Sequence, residues 1–411
     1  MSTIEIATPG PVTESPQPTV RQEYVSVRGQ SDRVHYLDNL RGVAMLLGVF
    51  LHAALAYAHP TQIVWLATDP QSSVLVDAAF NFIHLFRMGL FFLISGYFAK
   101  LLITRRGTMG FVRNRAVRIV LPFILFYPFL LGLLIAVVVF AMSYLSHPLG
   151  LIGVIVKASK ETPQAASSQP WSTMHLWFLY YLTLFAALTV VLSRFGSMRL
   201  DWLSRRPWLV ALAPLALVPG VLLGGLGIPA PESFVPQIWP LWFYGLFYWA
   251  GWQFFGREES LAAFKPWTGA ITAVGCALFV PYYLLLPKVD ASIFETGVVP
   301  SLSPGLTLFA GVLTAYLATL LTLLSLLIGQ QYLSRRSPAL RLLSDASYWI
   351  YLVHLPVVYF LQTLLIEAPL GLAAKLLLVN AGTLLFCMAT YIVFVRYTPI
   401  GWMLNGKRAF P

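Results

Sequence analysis

The sequence predicts an all-α, polytopic integral membrane protein: a helix bundle of about ten transmembrane helices with both termini in the cytoplasm. Three observations carry that expectation. Of 411 residues, 58% are hydrophobic and only 10% charged, where a soluble domain carries about 25% charged residues. Apolar stretches near the roughly 20 residues that cross a bilayer as a helix recur at 36–58, 78–102, 117–143, 173–193, 208–228, 236–256, 266–286, 303–329, 346–366 and 372–395. The basic residues between them sort onto one side. With the N-terminus inside, only Lys157, Lys160, Lys288 and Lys375 fall outside, Arg41 and Arg87 lie within spans, and the rest are cytoplasmic, as the positive-inside rule requires.

The same sorting accounts for the formal charge of +11, which needs anionic lipid as a partner and no nucleic acid. The weakest span is 208–228, interrupted by Pro214 and Pro219, and the alternation of loops supports it. Residues 1–34 lack an apolar signal segment and are rich in Pro, Thr, Ser, Gln and Glu, the composition of a disordered cytoplasmic tail. The transmembrane domain is then 35–398, with a short cytoplasmic tail at 399–411. Cys276 and Cys387 both sit in apolar runs, so no disulfide framework or Cys-rich metal site is available. The seven histidines show no metal-ligand spacing. No metal and no tightly bound cofactor is expected.

Ionisable groups inside spans are expensive, which makes them informative. In "LDNLRGVAMLLGVFLHAALAYAH", Arg41 and His52 are eleven residues apart. That is about three turns, so both lie on one helix face about 16 Å apart. In "NFIHLFRMGLFFLISGYF", His84 lies at the depth of His52, Arg87 is one turn deeper, and Ser95 shares the face of His84 near the level of Arg41. If the two helices pack, these stripes form one polar seam. A lone intramembrane His is often a helix-to-helix hydrogen bonder, and an Arg near a span end can snorkel. Four such groups with no mid-span carboxylate instead call for an anionic ligand. Asp38 and Asp77 lie near span ends, where local pairing is expected.

"FVRNRAVRIVLPF" places Arg115 and Arg118 as i, i+3 neighbours at an inner mouth, with Arg113 close by. Paired guanidiniums suit bidentate phosphate binding, and they equally suit a topology anchor. His175 in "TMHLWFLYYL" falls at the outer end of its span, on the acceptor side. For His354 in "SYWIYLVHLP", helix packing and chemistry are equally open. Trp239 and Trp242 read mainly as interface belt and packing, with a sugar platform as a second use. The loop 144–172 is a candidate lid.

Arg41-x10-His52, "FFLISGYF", Arg115-x-x-Arg118, "HLWFL" and "IYLVHLP" together resemble the acyltransferase 3 family of membrane proteins, over essentially the whole chain after residue 34. "FIHLFRMGLFFLISGYF" with "HLWFLYYL" looks most like the branch that succinylates osmoregulated periplasmic glucans. No fused extracytoplasmic domain is seen. The resemblance implies a bacterial inner-membrane enzyme that moves an acyl group from cytoplasmic acyl-CoA, the co-substrate, to hydroxyls of a glycan acceptor. Succinyl is favoured and acetyl is the alternative. Arg41 and His52 match the family's span-one pair, and Arg115 and Arg118 its Arg-x-x-Arg motif. On that basis Arg113, Arg115, Arg118 and Ser95 line the acyl-CoA path. His52 is the general base, an acyl-His52 intermediate being the alternative. Arg87 or His84 meets the developing oxyanion. Another envelope-polysaccharide O-acetyltransferase is a neighbouring reading. A transporter or flippase is the reading from a different class, disfavoured by the missing mid-span carboxylates. Homo-oligomerisation stays open.

Overall fold

Lipid offers the backbone no hydrogen bonds, so spanning segments satisfy their own as helices. In a computed structural model, residues 20–161, 172–193, 211–290, 292–296, 298, 300–335 and 337–406 are described. Among them the regular structure is helical, with two isolated bridges, Ala58–Ser73 and Ser172–Ser233. The helices are α1 (Val20–Leu55), α2 (Val74–Arg115), α3 (Leu121–Tyr144), α4 (Gly150–Glu161), α5 (Trp177–Ser193) and α6 (Val218–Gly224). They continue with α7 (Ile238–Phe254), α8 (Thr268–Leu285), α9 (Pro304–Tyr332), α10 (Pro338–Ile366), α11 (Leu372–Thr390) and α12 (Pro399–Asn405).

Among the described residues, 7 helices are long and apolar enough to cross a membrane. One of these, the continuous run Val74–Tyr144, is 71 residues long, length enough for two passes. Gly107 breaks its helical path at φ +66°, a left-handed conformation that costs glycine little. On either side of that break, Ser95, Arg105, Arg115 and Arg118 face one cavity. Asp77 near the start of α2 and Leu134 in α3 face another. The chain therefore runs along α2 from the cavity of Asp77 to that of Arg115, and back along α3. The expected span at 236–256 appears as α7, 17 residues long. The expected span at 208–228 is represented by a 3-10 turn, Ala213–Leu217, and α6. Pro214 and Pro219 sit in the first turns of these two pieces, where a missing N–H costs nothing.

Helical structure also enters both end segments. The α1 backbone starts at Val20, inside the stretch read as a tail, and residues 1–19 lie outside the described set. At the other end, residues 399–405 fold into α12, whose Leu404 is buried. Of the candidate lid at 144–172, α4 is described, and residues 162–171 lie outside the described set.

Two close contacts position the centre of the bundle. α2 and α7 touch through reciprocal glycines: a Cβ at Gly96 would run into the Tyr248 carbonyl, and one at Gly251 into the Leu93 carbonyl. The loop between α1 and α2 is tied to the α10–α11 hairpin by a buried ion pair. Lys375 Nζ donates to Asp69 Oδ2 at 2.8 Å and to the Ile366 carbonyl at 2.7 Å, and both side chains are almost fully buried. Gln71 Nε2 adds a bond to the Leu370 carbonyl. This tie holds Trp65 over α1.

Removing one partner of such a pair strands a buried charge, at a cost of about 3–5 kcal/mol. Lys375→Met is expected to lower the thermal unfolding midpoint in detergent markedly. Lys375→Met/Asp69→Asn, which removes the stranded charge, should recover part of that loss.

Candidate active site

The α1 face read from the sequence is present as a line of four positions: Arg41, Met45, Gly48 and His52. Arg41 opens into one cavity and His52 into another, while Met45 borders both. The first cavity, about 510 Å³, is lined by Arg41, Arg105, Arg106, Arg115, Arg118 and Ser95. The second, about 700 Å³, is lined by His52, His84, Arg87, His175 and His354. Four side chains, Met45, Phe91, Phe178 and Tyr351, belong to both walls. The basic and histidine chambers are thus neighbours across one thin partition.

In the histidine chamber, the rings of His52 and His354 lie 5.2 Å apart between centroids, and those of His354 and His175 5.5 Å apart. Backbone carbonyls fix the second and third. His354 Nδ1 faces the carbonyls of Ile350 and Tyr351 at 3.0 and 2.8 Å. His175 Nε2 faces that of Leu352 at 2.9 Å, and the Tyr351 hydroxyl donates back to the His175 carbonyl. His84 Nε2 faces the Ile228 carbonyl at 2.9 Å. A ring nitrogen facing a carbonyl must carry the proton, so in the neutral ring the other nitrogen is a lone pair. Those lone pairs, His354 Nε2, His175 Nδ1 and His84 Nδ1, are buried without a partner, as is His52 Nδ1.

This geometry bears on two of the histidines. His84, expected with Arg87 as an alternative oxyanion donor, is held through Nε2 by the Ile228 carbonyl and, when neutral, has an acceptor at Nδ1. His354 joins His52 in the chamber rather than only packing helices. Reaching that pairing from the sequence required knowing that α10 packs on α1, some 300 residues away in the chain. Gln362 on the same helix, fully buried, tightens the link. Its Nε2 donates to the carbonyls of His52 and Ala53, and its Oε1 accepts from Trp65 Nε1. Trp65 in turn stacks on the His52 ring at 5.5 Å.

Arg87 is 9% exposed and lies across Gly48, where a Cβ would overlap its guanidinium. Among the described residues no carboxylate pairs with it. The ion pairs among the described residues include Arg41–Asp38 at 3.7 Å and Lys375–Asp69. Asp77, expected to pair locally, does so without a cation: its Oδ2 accepts from the Tyr283 hydroxyl at 2.7 Å and from Asn81 Nδ2 at 3.2 Å.

In the basic chamber, Arg115 lies over the Phe111 ring. Arg118 donates to the Asn405 carbonyl at 3.0 Å, satisfying the C-terminus of α12. Ser95 donates to the Phe91 carbonyl, so its oxygen remains as an acceptor. Arg113 does not line this chamber and is exposed. Two residues from Arg115 is about 200° around a helix, so the two guanidiniums face apart. Neither Trp239 nor Trp242 reaches a cavity wall. Trp239 packs under Gly224, and Trp242 Nε1 bonds the Ala216 carbonyl. Trp65, Trp177 and Tyr359 supply the histidine chamber's aromatic walls instead. At its rim, desolvation raises the pKa of Glu232, partly offset by the Ser172 hydroxyl. Desolvation lowers that of Lys288, partly offset by Asp77.

The sequence profile of the acyltransferase 3 family, described as an acyltransferase domain, matches residues 34–395. The chain belongs to the acyltransferase 3 family. It is similar to proteins named glucans biosynthesis protein C. That of Salmonella schwarzengrund strain CVM19633 is 25% identical over 351 residues, covering 80% of this chain and 83% of the relative. That of Salmonella paratyphi B is 24% identical over the same shares. No solved structure matches. As an acyltransferase of this family, the chain is an enzyme that transfers acyl groups other than amino-acyl groups.

Gly48 is where the acyltransferase's α1 makes room for Arg87. Gly48→Val should displace the guanidinium and lower acyl transfer by about 10²-fold, the scale of losing one oxyanion donor. Membrane insertion and yield should stay near wild type, checked by fluorescence-detected size exclusion.

Proposed function

We propose that this acyltransferase moves an acyl group from acyl-CoA, held in the basic chamber, to a hydroxyl of an envelope glycan that enters the histidine chamber. The observation carrying this reading is the pair of neighbouring chambers with one shared wall. Five guanidiniums line one side, and His52 with Arg87 stands on the other. The anionic phosphates of CoA fit the first, and a thioester extended past Met45, Phe91, Phe178 and Tyr351 arrives beside His52. By the distribution of basic residues, the basic chamber opens to the cytoplasm of a bacterial inner membrane, with both termini on that side.

The step balances without a metal or redox partner. The acceptor oxygen attacks the thioester carbonyl as His52 takes the hydroxyl proton. Arg87 neutralises the oxyanion that forms. When the intermediate collapses, the carbon–sulfur bond breaks and the CoA sulfur leaves with the proton from His52, giving an ester and free CoA. The unpartnered His354 Nε2 beside the equally unpartnered His52 Nδ1 supports a shared proton between them. A proton shared there would fix the His52 tautomer and leave Nε2 as the base. The resemblance to the succinylating branch favours a succinyl group, with acetyl as the alternative. The relatives' name points to a glucan as acceptor.

His52→Ala is expected to cut acyl transfer by about 10²–10⁴-fold while the protein still binds CoA, and turnover at the wild-type rate would remove His52 from the chemistry. Mass spectrometry of envelope glycans with and without the protein identifies the group: an increment of about 100 Da is succinyl and about 42 Da acetyl. His354→Gln, which keeps an acceptor beside His52, should retain far more kcat than His354→Phe, with the KM for acyl-CoA unchanged in both. Equal loss in the two variants would rule out the tautomer role.

A further inference from the structure

Above the reacting pair, α2 turns a polar edge into the histidine chamber. Asp77, Asn81 and His84 stand at i, i+4 and i+7 on one face and all line the cavity, along about 10 Å of helix. Each offers an acceptor atom with nothing bound to it. Asp77 is 1% exposed. Its Oδ2 is used by Tyr283 and Asn81, while its Oδ1 is buried without a partner. Asn81 spends its amide hydrogens on the carbonyl and carboxylate of Asp77, which fixes the amide orientation and leaves its side-chain carbonyl over. His84 is held by the Ile228 carbonyl through Nε2, and its Nδ1 is buried and free.

An orphaned buried acceptor costs about as much as a lost hydrogen bond, and two of them flanking the Asn81 side-chain carbonyl suit a ligand that brings donors in a row. We propose that Asp77, Asn81 and His84 form a subsite for consecutive hydroxyls of a neutral sugar acceptor, ending one turn above Arg87 and across from His52. Charge selects against the alternatives. An anionic ligand meets the Asp77 carboxylate. A cationic one meets Lys288 at the rim and the unpaired Arg87 at the foot. A polyol meets neither penalty, and its hydroxyls can also accept from Arg87. The subsite deepens the acyl-transfer reading and rests on it for its use, while its binding can be measured alone.

The test uses the full-length protein in nanodiscs and a neutral glucose trisaccharide as probe, with equilibrium binding measured in the absence of acyl-CoA and transfer measured with succinyl-CoA or acetyl-CoA. Asn81→Leu should weaken trisaccharide binding and raise its KM by at least about tenfold, the effect of one or two lost hydrogen bonds. The KM for acyl-CoA and kcat at saturating sugar should stay within about twofold. Asn81→Ala serves if the leucine variant does not fold. Tyr283→Phe, which removes a partner of Asp77 from behind the ladder, should leave sugar binding unchanged and so separates helix packing from recognition. An amino-sugar trisaccharide should bind more weakly than the neutral one. Sugar binding that depends on Asn81 without any acyl transfer would keep the subsite and sink the acyl-transfer reading. No binding by wild type, unchanged binding in both Asn81 variants, or equal affinity for the amino sugar would overturn the subsite.

Discussion

Arg87 places a positive charge in the interior of the bundle, and among the described residues no carboxylate answers it. Desolvating a guanidinium costs several kcal/mol that only a counter-charge or strong hydrogen bonds offset. The arrangement around it follows from tolerating that cost. Gly48 gives the side chain a flat place to lie against α1. α2 is seated deep in the bundle because Gly96 and Gly251 let it approach α7 to backbone contact. The charge therefore sits where the two chambers meet, in the low-polarity setting in which a transient negative charge gains most from it.

The histidines obey a different economy. His84, His175 and His354 are each tethered by one nitrogen to a main-chain carbonyl, so the scaffold decides which nitrogen is bare. His52 is the exception: neither of its ring nitrogens has a described hydrogen bond. Its orientation comes from outside the ring, through Trp65 stacked on one side and Gln362 gripping its own carbonyl. A side chain held in place by stacking and main-chain contacts leaves its ring nitrogens to the chamber and not to the scaffold.

How much of this was legible in the sequence depended on distance along the chain. Arg41 and His52 could be put on one face because a helix repeats every 3.6 residues, and nothing but local periodicity was needed. The apolar runs marked helices for the same reason. Placing Arg113 with Arg115 neglected that same periodicity, since a two-residue step points away. His354 was ambiguous because its meaning lies in α10 packing against α1, a contact that no local pattern encodes. The hydrogen-bonding character of His84 was not legible because it depends on its partner, the carbonyl of Ile228 on a distant loop. α12 was missed because seven residues bearing a glycine and a proline carry little helical signal, and its fold is completed by Arg118.

The partition between the chambers bears on the membrane itself. Any catalyst reachable from both faces of a bilayer risks becoming a leak that dissipates ion gradients. Met45, Phe91 and Phe178 are hydrocarbon and thioether surfaces, and the Tyr351 hydroxyl is already committed to the His175 carbonyl. A hydrated ion squeezed between them would have to shed its water with almost nothing to replace it, a penalty of many kcal/mol, whereas a slender, largely uncharged thioester arm would not. Under the acyl-transfer reading proposed above, the same four side chains pass one chemical message while keeping the two compartments electrically insulated.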